Sequence, residues 1–144
     1  MRVKGFLTVS LILLLGLGQA GCSTAQKHTH DQSDQSKSVP GKTQITKAIQ
    51  DELNGLTTIE ADVNKDDFKG AGDTLEGMHE EYHSNILGPL KDKKGDTYAN
   101  DMHSKFDALE DALNSKDKNK ALNLIKVNRD NLNTAAKDLD VSIK

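Results

Sequence analysis

From Thr43 to Lys144 an apolar residue falls at about every third or fourth position along four successive stretches, with short polar links between them. The first carries Ile45, Ile49, Leu53, Leu56 and Val63, and the second Phe68, Ala71, Leu75, Met78, Tyr82 and Ile86. The third carries Tyr98, Met102, Phe106, Leu109 and Leu113, and the fourth Leu122, Ile125, Leu132, Ala136, Leu139 and Ile143. This period matches a helical turn and leaves each helix with one apolar stripe that another helix must cover. Sheet is disfavoured, because three Phe, two Tyr and no Trp supply few of the residues that fit a pleated surface. Two prolines, Pro40 and Pro89, leave long helix interiors unbroken.

The links are Asn64-Lys65-Asp66-Asp67, the stretch Gly88 to Asp96 with Pro89 and Gly95, and Ser115-Lys116-Asp117-Lys118-Asn119. Short links make sequential helices antiparallel neighbours, so the expected fold is all-α, an up-down-up-down antiparallel four-helix bundle over residues 43–144. Such a domain is of ordinary size for one core. Glu60 and Asn128 fall at stripe positions, and Leu87 falls on the face away from the core. No internal repeat, Gly-rich phosphate loop or Ser-His-Asp spacing stands out. A net charge of −3, with both signs mixed along every helix, gives no basic footprint for nucleic acid.

Ahead of the bundle, Arg2 and Lys4 precede the apolar run Phe6 to Leu17, which ends in Gly18-Gln19-Ala20-Gly21-Cys22. That order is an export signal over residues 1–21, too short in its apolar part for the roughly 20 residues of a membrane span. Cys22 is the only cysteine, so it has no partner for an intramolecular disulfide. Gln19-Ala20-Gly21-Cys22 resembles the lipobox of bacterial lipoproteins, with Gln19 where an apolar residue is usual. The resemblance implies diacylglycerol on Cys22 and a protein anchored to the bacterial cell membrane, facing away from the cytoplasm. Cleavage after Ala20, leaving a free thiol, is the alternative. Residues 22–42 are rich in Ser and Gln and poor in large apolar groups, the composition of a disordered tether. In it, His28-x-His30 is a polar pair with weak metal capture as its functional reading.

His79-Glu80-Glu81-Tyr82-His83 satisfies the H-E-x-x-H pattern of zinc peptidases. A peptidase also needs a third ligand and a substrate cleft, for which a small bundle filled by Leu and Ile leaves little room, so no enzymatic activity is expected. Metal binding without hydrolysis needs less. On a helix His79 and His83 lie one turn apart at the margin of the core stripe, with Glu76 beside them. The third helix carries His103 and Glu110 on the matching flank. If the second and third helices turn about a loop centred near Lys93, His83 and His103 stand at one height and Glu76 stands near Glu110. The candidate ligands are therefore His79, His83 and His103, with Glu76 and Glu110 as oxygen donors. Imidazole ligands favour Zn, Cu or Fe. In the opposite bundle hand the same flank would meet Asp51, Asn54 and Glu60 of the first helix, leaving His103 elsewhere. Solvated histidines at the core margin are the bland alternative.

A di-iron site would need Glu-x-x-His on two helices, and Asn100 stands where the third helix would supply its Glu. No haem is expected, since Met78 and Met102 sit at core positions and the chain has no Cys-x-x-Cys-His. The span Tyr82 to Leu139, with YHSNILGPLKDK and FDALEDALNSKDKNKALNLI, resembles the helical extracytoplasmic regions accompanying Ftr-type iron permeases, and the same span, under half the chain, is loosely similar to imelysin-like EfeO proteins of iron uptake. Gly77-Met78-His79 is similar to the start of the imelysin Gly-x-His-x-x-Glu motif, with Tyr82 in place of its Glu. Those resemblances imply extracytoplasmic metal handling. Two readings follow: a lipoprotein whose bundle binds one transition-metal ion for scavenging, delivery or sensing, or a metal-free lipoprotein that binds a protein or cell-envelope partner through a helix face, Leu87 being the apolar candidate.

Overall fold

The computed structural model describes residues 40–143. The expected signal, Cys22 and all of the tether before Pro40 lie outside the described residues. Five α-helices follow in order: α1 (Lys42–Asn64), α2 (Phe68–Tyr82), α3 (Gly88–Lys94), α4 (Asp96–Asn114) and α5 (Lys118–Asp138), with a π turn at His83–Leu87 joining α2 to α3. Helices α2 and α3 run on through the π turn as one continuous rod, so four rods form the antiparallel bundle. Helix α1 packs on α2 and α5, and α4 packs on α5, α2 and α3. Among the described residues no helix is long and apolar enough to cross a membrane.

Local chemistry explains the ends of the helices. Asp67 and Asp117 accept from the backbone N–H of Gly70 and Lys120, at 2.9 and 3.0 Å, and so cap α2 and α5. Just before each cap, Asp66 and Lys116 take left-handed backbone, φ 62° and 56°. This reverses the chain and lets Asp67 N–H and Asp117 N–H reach the carbonyls of Asp62 and Ala112, both at 2.9 Å. The core follows the stripes: Ile49, Leu56, Ile86, Leu109, Ile125 and Leu132 are almost wholly buried.

Three expectations are corrected. The stretch Gly88 to Lys94 is helix rather than link, and the reversal is made by Gly95 alone, whose φ of 89° suits a residue without Cβ. Pro89 sits in the first turn of α3, where its missing N–H is tolerated, and the wider π turn before it eases the clash of its ring with the preceding turn. That π turn adds about one residue to a helical turn, which rotates everything after it back by about 100°. Leu87 is thereby carried from the solvent side into the core and is only 8% exposed, while Leu90 is fully buried beside it.

The third correction concerns polar groups in the core. Glu60 is not buried; its carboxylate pairs with Arg129 at 2.6 Å. The buried charge-bearing side chain is Glu52, fully enclosed, with both oxygens lacking a hydrogen-bond partner among the described residues. Its position was readable: Ile49, Glu52 and Leu56 step by three and then four, and both neighbours are core. Burial, reinforced by the carboxylates of Glu81 and Asp51, pushes the Glu52 carboxyl up to about 8. Asn128 is buried as expected, donating from Nδ2 to the carbonyls of Lys105 and Leu124 at 2.9 and 3.0 Å.

Candidate metal centre

The flank of α2 that carries His79 and His83 faces α4, not α1, so Asp51, Asn54 and Glu60 are not its neighbours across the seam. One helical turn separates His79 from His83, the start of the π turn, and brings both to one strip, and His103 of α4 stands opposite. The Nε2 atom of His103 lies 3.1 Å from Nε2 of His79 and 2.7 Å from Nε2 of His83. One ligand atom from each ring falls within 4.8 Å of the other two. Below the rings Tyr82 and Phe106 pack 4.8 Å apart, centroid to centroid, and Tyr82 lies 5.8 Å from the His103 ring. This aromatic floor fixes the depth of the cluster, leaving His79 and His103 half-buried and His83 exposed.

Three neutral imidazoles cannot satisfy one another in this arrangement. If Nε2 of His103 carries a proton it has one N–H to give to two neighbours, and if it does not it has one lone pair to receive two donors. A cation resolves the conflict, because all three nitrogens then turn a lone pair to one centre. First-row metals bind imidazole nitrogen at about 2.0–2.1 Å, and nitrogens around such an ion stand roughly 3 Å apart, close to the two separations found here. Desolvation against the neighbouring side chains, together with the adjacent His103 and His79, holds the His83 imidazole below its usual range.

Asp107, which the sequence reading did not single out, completes the arrangement. One of its oxygens lies 3.3 Å from Nδ1 of His103 and the other 3.9 Å from Nε2 of His79. A carboxylate on the far nitrogen of a ligating histidine favours the tautomer whose Nε2 is free to bind metal. The signal was present in the sequence as His103-x-x-x-Asp107, one helical turn on the same face.

Glu76 and Glu110 fall outside the group whose ligand atoms converge. Both are exposed and line a cleft of about 320 Å³ between α2 and α4 that ends at His79 and is floored by Phe68 and Leu75. They neighbour the cluster without joining it. Glu80, the acid of the H-E-x-x-H pattern, is exposed. Comparison of the chain with known protein families, with characterised proteins and with solved structures gave no match.

Proposed function

We propose that this chain is a membrane-anchored extracytoplasmic lipoprotein whose bundle binds one transition-metal ion through His79, His83 and His103, for scavenging, delivery or sensing. The observation that carries the reading is the convergence of three imidazole nitrogens from two helices on one point, with Asp107 behind His103. Nitrogen donors select Zn, Cu or Fe over hard ions such as Ca. HEEYH then serves as a ligand pair rather than a peptidase site. The anchor rests on the lipobox-like Ala20-Gly21-Cys22. A helix face built around Leu87 is no longer available to the partner-binding alternative, because Leu87 is buried.

The test is calorimetric titration of the untagged chain with Zn(II), Cu(II) and Fe(II), beside a His79→Ala/His83→Ala variant. One ion per chain at micromolar affinity or tighter, lost in the variant, supports the reading. Binding that survives in the variant would place the ion elsewhere, with His28-x-His30 the first suspect, and no saturable binding would end the proposal.

A further inference from the structure

The α1–α2 and α4–α5 hairpins repeat one design at an offset of fifty residues. Asp67 and Asp117 are the N-caps, Asn64 and Asn114 end the preceding helices, and Asp66 and Lys116 carry the left-handed turn. Buried residues fall in step: Leu56 with Phe106, Ile59 with Leu109, Leu75 with Ile125, Tyr82 with Leu132. The two turns meet, with Lys118 donating to the Asn64 carbonyl and to Asp66, each at 2.9 Å. Few identities survive at matched positions, which is why the repeat was not legible in sequence. Its consequence is that the α2–α4 seam and the α5–α1 seam are counterparts.

In the α5–α1 seam the residue matching His79 is Arg129. Its guanidinium crosses to α1, lying 2.6 Å from Glu60 and donating to Thr57 Oγ1 at 3.2 Å. Thr57 matches Asp107, Leu53 matches His103, Asn133 matches His83 and Glu60 matches Glu110. One seam is thus closed by a cation that belongs to the chain. At the same place the other seam has three histidine nitrogens and Asp107, with Glu110 on the wall of the adjoining cleft.

We infer that the metal ion bound by His79, His83 and His103 is a latch that closes the α2–α4 seam as Arg129 closes the α1–α5 seam. The inference rests on the metal-binding reading above and adds to it a conformational output. Without the ion, ring nitrogens that cannot all be paired face one another across the seam; with it, α2 and α4 share a common centre of positive charge. Occupancy is thereby expressed as closure of the cleft lined by Glu76 and Glu110.

Hydrogen exchange on the full chain, with Zn(II) alone as probe, tests this. At free zinc about 100 times its Kd, any opening that breaks the site slows about 100-fold. The latch predicts that slowing at α2 and α4 amides bordering the cleft, with far less in α1 and α5. Uniform slowing in all helices, or none while calorimetry shows zinc bound, overturns the latch and leaves the metal site standing; absence of zinc binding removes both. A second arm transplants the other seam, with His79→Arg, His83→Asn, His103→Leu and Asp107→Thr together. That variant should show zinc-level protection without zinc and ignore added metal. If it folds and the seam still exchanges fast, the equivalence with Arg129 is wrong; if it does not fold, the wild-type comparison decides.

Discussion

Glu52→Met should make the bundle markedly more stable, and the gain should depend on pH. In the folded chain the Glu52 carboxyl keeps its proton up to about 8, against an ordinary 4.5. Below pH 4.5 both folded and unfolded chains are protonated there, and the group imposes no ionisation penalty. Between 4.5 and 8 the unfolded chain releases the proton and the folded chain does not. Stability therefore falls by about 1.4 kcal/mol for each pH unit in that window, and levels off once the folded carboxyl also ionises. At pH 7 the accumulated loss is about 3 kcal/mol. Met is the natural replacement, since Met102 holds the matching place in the second hairpin and is buried there. At about 4–8 °C per kcal/mol for a domain of this size, Tm should rise by roughly 12–24 °C at pH 7. Urea unfolding of wild type and variant from pH 4.5 to 8.5 measures the difference directly. Parallel stability curves across that range, or a variant less stable at pH 7, would refute the account of Glu52 as a buried acid held neutral by its surroundings.

Other consequences are as open to measurement. Asp107→Asn should weaken metal affinity about 10–100-fold while leaving one ion per chain, because it removes the group that orients His103 and not a ligand; an unchanged Kd would deny Asp107 that role. Metal affinity should be flat above about pH 7 and fall more than tenfold per unit below about pH 6, as several imidazoles take up protons that the metal must displace. An affinity constant from pH 7.5 to 5 would exclude the histidines. Leu87→Ala should cost about 2–4 kcal/mol in chemical denaturation, the loss expected of a buried Leu, whereas a solvent-facing Leu would lose under about 0.5 kcal/mol. Lys116→Gly should stabilise by roughly 1 kcal/mol, since the left-handed backbone there strains any residue with a Cβ; thermal melts would show it.

Sequence alone determined the number and extent of most helices, because a stripe repeating every three or four residues can be buried in only one way. It also set the antiparallel order, through links too short for anything else, and it placed His79 and His83 on one flank of the second helix and His103 on the matching flank of the third. Tertiary structure decided what depends on through-space neighbours. Which helix the histidine flank meets follows from how the rods are arranged around the core, and no single stripe encodes that. Leu87 changed faces because a π turn before Pro89 shifted the helical phase, a cumulative rotation invisible to a fixed 100° step. Asp107 stands beside the rings because distances of 3.3 and 3.9 Å are set by the approach of two helices, not by spacing along one. Glu52 lay in plain sight at a core position, yet its charge argued for the surface. Only the packed bundle shows that the helix period, enforced by Ile49 and Leu56 on either side, overrode the preference of a carboxylate for water.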